Sequence, residues 1–312
     1  MTQRKRVAPT QTSPAYLRKR LVAVRAPLSS NLFANLVLAG LRCRLRVMRT
    51  KCILRTLQAA TVQAVPKYEP RECWFYDFGD RLLPYEPVHR WQQQLRAIRL
   101  GRSGEAPATT LRFPDAFMLL THTPVYTLGT AASPGDLGSA LQEASCAVVR
   151  TERGGKVTYH GPGQVTGYAI MNLRRYRCDL RWYVSLLEEV VIRCLRYFGI
   201  PGERRSDHHG VWVAGGTRKI AFIGVSVSRW VTCHGFALNV NREVLPPFRR
   251  IVACGLDGNT VTCMQDLLPH PNTCSTEQVR NSLATHFSEL FDVALKPYAP
   301  SAASGTDSRS GT

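Results

Sequence analysis

Residues 153–164 read R-G-G-K-V-T-Y-H-G-P-G-Q. These twelve residues hold four glycines, one proline and four side chains that make directed polar contacts: Arg153, Thr158, Tyr159 and His160. Paired glycines permit positive φ and let a backbone come close to a ligand. Gly161-Pro162-Gly163 marks where the chain reverses. A loop so poor in bulk and so rich in donors suits a wall beside an extended small molecule. The same composition also describes a plain glycine-rich hairpin, so the flanking segments must decide.

Working outward, the apolar piece 147–150 enters the loop as a short strand, and 167–173 leaves it as another. Residues 116–120 form a continuous apolar run expected to be a buried strand, followed by 125–129. Upstream, 74–78 reads as a short strand, and Pro87 opens a helix over 88–99 that Gly101 stops. Asp179 caps the clearest helix, 180–198, where Tyr183, Leu187, Val190, Val191, Cys194 and Leu195 follow the 3.6-residue period. Residues 210–213 and 219–228 read as strands around a Gly215-Gly216 hairpin, and 234–241 as a strand with one buried face. Residues 251–256 are a short apolar piece ending at a turn. Ser275 and Gln278 form a capping box for a last helix, 276–291. Strands and helices are interspersed, and hairpins replace any repeating βαβ unit. This predicts a single mixed-sheet α/β (α+β) domain with flanking helices over residues 69–298. No dinucleotide or P-loop glycine motif is present.

The net charge of +19 is unevenly placed. Residues 1–68 carry fourteen Lys or Arg and no acid, whereas the remainder has a net charge of only +5. The excess therefore does not describe a basic face on the folded body, and no nucleic-acid partner is expected. An Arg-rich, acid-free leader containing Ser and Thr reads as a mitochondrial transit peptide, which places the protein in the matrix. The apolar run at 32–41 is too short for the ~20 residues of a membrane span. Residues 299–312, rich in Ser, Gly and Ala, read as a disordered tail. None of the ten cysteines forms a C-x-x-C pair, so neither zinc knuckles nor dithiol redox chemistry is indicated.

Seven segments, in order, resemble one family. They are L-P-Y-E-P at 83–87, H-T-P-V-Y-T-L-G at 122–129, the glycine loop at 153–164, and G-V-W-V at 210–213. R-K-I-A-F-I-G-V at 218–225, H-G-F-A-L-N-V-N at 234–241 and I-V-A-C-G-L at 251–256 complete the set. Together they are similar to the octanoyltransferases of lipoate biosynthesis, which have the biotin/lipoate protein ligase catalytic fold. The resemblance implies transfer of an octanoyl group from octanoyl acyl carrier protein to a lysine of lipoyl domains. These are the lipoyl domains of 2-oxoacid dehydrogenase complexes and the glycine cleavage H protein. The phosphopantetheine thioester travels with the substrate, so no cofactor of the enzyme's own is implied.

Carried over residue by residue, Cys254 matches the nucleophile and Lys219 the residue that tunes it. Arg153, Gly154, Gly155, Lys156, Val157, Thr158, Tyr159 and His160 match the first substrate wall. Phe222, Ile223 and Gly224 match a second, and Gly235, Phe236 and Ala237 a third. Lys156 departs from the family, which more often has glutamine or an acid there.

The chemistry suits the residues. A thiolate attacks a thioester well and yields another thioester still activated toward an amine. A nearby ammonium raises the thiolate fraction of a thiol whose ordinary pKa is ~8.5. From the residues alone, Cys233 and Cys263 are alternatives to Cys254, and only the family pattern separates them. His160 and His234 read as pocket-wall groups, not as the general base. Two other readings compete: an ATP-dependent lipoate or biotin ligase on the same fold, and a non-catalytic binding module.

Overall fold

The structure is a computed structural model that describes residues 70–101, 113–142, 146–252, 258–270 and 274–298. The leader 1–68, the tail 299–312 and Cys254 lie outside the described residues.

Alternation sorts the buried side chains onto two faces of one large sheet. Its strands are β1 (Arg71–Leu83), β2 (Asp115–His122), β6 (Gln164–Ile170), β7 (Val211–Val213), β8 (Arg218–Ser228), β9 (Val231–Asn239) and β10 (Val293–Pro297). Among the described residues the order is β10-β1-β2-β6-β9-β8-β7. β1 runs parallel to β10 and β2, and every other pairing is antiparallel, so the sheet is mixed as expected. A smaller sheet pairs β3 (Val125–Leu128) in parallel with β4 (Ala147–Arg150) and antiparallel with β5 (Val157–His160).

The helices follow their sequence signals. α1 (Tyr85–Arg99) starts two residues before Pro87, which falls in the first turn, where a missing N–H costs nothing. α2 (Leu180–Tyr197) is capped by Asp179, whose carboxylate accepts from the Trp182 N–H. A single turn, α3 (Leu245–Phe248), precedes the Cys254 segment. α4 (Thr276–Phe291) has the expected capping box, with Ser275 and Gln278 bonding reciprocally.

α2 and α4 cover one face of the large sheet. Phe117 and Leu119 of β2 point into this core, and the Phe117 ring stacks on Phe287 at 3.8 Å. The intervening residues Ala116, Met118 and Leu120 face the other way, toward Val88 and Leu95 of α1. A third apolar cluster joins Tyr126, Val157 and Tyr159 of the small sheet to Phe222 and Phe248.

Several elements differ from the sequence reading: β5 is a strand inside the stretch 153–164 whose composition reads as a loop, and the turn α3 carries no sequence signal. β1 spans thirteen residues because it continues through an irregularity, between Asp77 and Leu82, whose polar residues hide the apolar pattern. β10 was not anticipated. Asp292 takes a left-handed conformation (φ 54) that turns the chain out of α4, so that Val293–Pro297 can lie along β1.

Candidate active site

Cross-strand register builds the floor of a pocket. Tyr168 of β6, Gly235 of β9 and Gly224 of β8 are direct neighbours, and the next row is Thr166, Ala237 and Phe222. Glycine and alanine in the middle of each row leave a trough between larger flanking side chains. Gly235 also allows the two strands to approach closely, since a Cβ there would lie 2.2 Å from the Gly167 carbonyl oxygen.

The opposite wall comes from the glycine loop and β5. Thr158 and His160 line the pocket with Arg153, Gly154 and Gly155, and Tyr85 contributes from α1. Gly154 donates its N–H to the Val225 carbonyl at 2.9 Å, tying the loop to β8. The Arg153 guanidinium is buried and donates to the Thr127 carbonyl at 2.6 Å and to the Thr127 hydroxyl at 2.9 Å. Its aliphatic stem passes over Gly224, where an added Cβ would sit 3.0 Å from Arg153 Cδ.

Of the residues singled out from sequence, Arg153, Gly154, Gly155, Thr158, His160, Phe222, Ile223, Gly224, Gly235, Phe236 and Ala237 line this pocket. Three do not. The two-residue period of β5 turns Val157 and Tyr159 to the opposite face, into the cluster with Phe248. Lys156 is half-exposed and pairs with Asp136 at 3.3 Å. Tyr85 and Tyr168 line the pocket without having been singled out; Tyr85 lies in the quoted L-P-Y-E-P piece, where a buried aromatic at a helix start was the available signal.

The polar groups of the wall are held in one protonation pattern. The Gln164 side-chain amide donates to the Tyr159 carbonyl and the Asn239 side-chain oxygen, leaving its own oxygen to accept from His160 Nδ1 at 2.8 Å. His160 therefore keeps its proton on Nδ1 and presents Nε2 as an acceptor. Burial, reinforced by the neighbouring His122 and the Arg153 guanidinium, pushes its pKa well below the usual imidazole value. His122 accepts from the Tyr168 hydroxyl at 2.8 Å, and burial lowers its pKa to about 4. His234, also on the pocket wall, lies 3.3 Å from Glu152, and burial keeps its pKa low. The Thr158 hydroxyl is buried with no hydrogen-bond partner among the described residues, an arrangement that a ligand acceptor would complete.

Lys219 sits at the β7 end of the trough and is only 2% exposed. Its Nζ donates to the His209 carbonyl at 2.7 Å, and lies 4.9 Å from the centre of the Phe222 ring and 5.3 Å from that of Trp212. Phe222 thus separates the ammonium from the pocket interior. The chain on both sides of the Cys254 segment is described. Val252 donates its N–H to the Asp136 carbonyl at 2.9 Å, and Val261 pairs in parallel with Lys219. Of the two alternative thiols, Cys233 is fully buried and burial pushes its pKa to about 12; that of Cys263 is raised to about 11 for the same first reason. Neither is poised as a thiolate.

A pocket between a mixed sheet and a glycine loop, with a buried lysine behind its Phe222 wall, suits an extended, largely apolar ligand. Residues 104–288 match the lipoyl protein ligase A/B catalytic domain, and the chain belongs to that family. The chain is 46% identical over 218 residues to an octanoyltransferase of Gloeobacter violaceus, covering 70% of this chain and 90% of that one. It is 40% identical over 235 residues to the chloroplastic octanoyltransferase LIP2p2 of Arabidopsis thaliana, covering 73% and 81%. Within the family it stands with the octanoyltransferases. The fold is also that of a lipoate-protein ligase A crystallised with ATP, with a TM-score of 0.55 at 15% identity over 75% of this chain and 90% of that one. Among the described residues, no helix is long and apolar enough to cross a membrane.

Proposed function

We propose that the protein transfers an octanoyl group from octanoyl acyl carrier protein to a lipoyl-domain lysine in two steps, through a thioester on Cys254. In the first step the Cys254 thiolate attacks the carrier's thioester carbonyl. The carbon–sulfur bond to phosphopantetheine breaks, and the departing thiolate takes up a proton. In the second, the acceptor lysine amine attacks the new thioester, an amide forms, and the Cys254 sulfur leaves. Lys219 stabilises the Cys254 thiolate as an ammonium, gives its proton to the departing phosphopantetheine thiolate, and as the neutral amine takes up the proton lost by the attacking lysine. The acyl chain occupies the trough over Gly224, Gly235 and Ala237; burying its methylenes at ~0.8 kcal/mol each contributes several kcal/mol of binding. The enzyme uses no resident cofactor in this scheme.

The observation that carries this reading is the Lys219 side chain buried against Phe222, one of eleven wall residues picked out from sequence that line the pocket. The octanoyltransferase relatives favour it over an ATP-dependent ligase and over a non-catalytic module. Fold alone does not discriminate, since an ATP-binding ligase has the same one. Intact mass after incubation with octanoyl acyl carrier protein tests the scheme. One octanoyl group should add, should be removed by hydroxylamine, and should be absent in Cys254→Ser but present in Cys233→Ser and Cys263→Ser. Loading of free octanoate that requires ATP would overturn it.

The basic leader is proposed to target the protein to the mitochondrial matrix. The chloroplastic relative supports a plastid as the second reading. A fluorescent fusion of residues 1–68 separates the two by which organelle it enters.

A further inference from the structure

We infer that Glu188 is a positioning residue for Lys219, acting through the one peptide unit that joins His209 to Gly210; this rests on the role proposed for Lys219 above. Glu188 projects from α2 and is 5% exposed. Its Oε1 accepts the Gly210 N–H at 2.9 Å, and its Oε2 lies 3.3 Å from Arg204 Nε. The carbonyl of that same peptide, on His209, accepts from Lys219 Nζ at 2.7 Å.

A peptide unit is planar, and its N–H and C=O point in opposite directions. Whatever fixes the N–H therefore aims the carbonyl. A carboxylate on the N–H also polarises the peptide and makes its carbonyl a stronger acceptor for an ammonium. The unit is pressed against the lysine: Gly210 has φ 115, and a Cβ there would lie 2.5 Å from the Ala221 carbonyl oxygen and 2.8 Å from Lys219 Cε.

The position of Glu188 on its helix supports this reading. It lies on the buried side of α2 with Val191 and Leu195, where an apolar residue would pack without desolvating a charge. A carboxylate adds what an apolar side chain cannot, a fixed acceptor for one N–H. Without it, the buried Gly210 N–H loses its partner. The peptide is then free to rotate, and the His209 carbonyl swings away from Nζ.

The test compares Glu188→Gln, which keeps an acceptor oxygen, with Glu188→Met, which keeps the length and offers none. Both are measured on the full chain beside Lys219→Met. The readouts are the rate of acyl-enzyme formation from octanoyl acyl carrier protein, its dependence on carrier concentration, and the thermal midpoint. Glu188→Met should lower the maximal rate by about tenfold or more while leaving the carrier KM unchanged, as a displaced catalytic group does. Glu188→Gln should recover most of that loss. A Glu188→Met rate equal to wild type, or equal losses in Gln and Met, overturns the inference while leaving the role of Lys219 intact. Undiminished acylation by Lys219→Met instead overturns that role.

Discussion

Lys219 is a long cationic side chain buried to 2% exposure, and such groups persist only where their charge is used or matched. Lys219→Met should cut acyl-enzyme formation by about 100-fold or more, the usual range for losing a proton-transfer group, with the fold retained. Lys219→Arg should not rescue it, because a planar guanidinium neither fits between Trp212 and Phe222 nor gives up a proton. Thr158→Val removes the unpartnered hydroxyl but keeps the shape. It should leave the thermal midpoint unchanged or slightly raised while weakening octanoyl loading about tenfold, since that hydroxyl has no partner among the described residues and a ligand acceptor would complete its bonding. The buried imidazoles set a pH dependence. His122 has its pKa lowered to about 4 in the fold, so the unfolded chain binds a proton near pH 6.5 and the folded one does not. Its contribution to stability is present above about pH 6.5 and is lost as pH falls toward 4. The full effect is on the order of 3 kcal/mol, and His160 adds in the same direction. Denaturant midpoints between pH 7.5 and 4.5 should fall steadily, and His122→Phe should flatten that slope.

At the scale of elements, local signals were the most legible. The Ser275 capping box and the Asp179 cap stood in the sequence because a helix end satisfies its N–H groups from residues at fixed short offsets. Ser275→Ala should cost about 1 kcal/mol, read as a lower thermal midpoint, without changing the acylation rate. β5 shows where local reading falls short. The loop 153–164 was read as one wall, yet strand alternation splits it, putting Thr158 and His160 on the pocket and Val157 and Tyr159 in the core behind. Lys156 leaves the wall for Asp136, which lies in a segment the motif does not include. β10 was missed for a related reason. Five residues ending in proline carry little pattern of their own, and only the free edge of β1 makes them a strand.

At the scale of the molecule, the domain is two sheets with a binding trough between them, closed behind by α2 and α4 and flanked by α1. A chain beginning near residue 70 should keep wild-type acyl-enzyme formation, because the residues that line the pocket fall between Tyr85 and Ala237. Loss of acylation on that truncation would show that the leader belongs to the enzyme.

The sequence by itself determined the helix ends, the mixed sheet, the family and most of the pocket wall. These depend on periodicity, capping offsets and ordered motifs, all of which are written along the chain. Only the tertiary structure decided which face of β5 meets the ligand, that Tyr85 and Tyr168 join it, and that a glutamate on α2 reaches the lysine on β8 through a peptide from a third segment. Hydrogen bonds and strand register act between residues far apart in the chain. Their partners are fixed by folding, so no local spacing announces them.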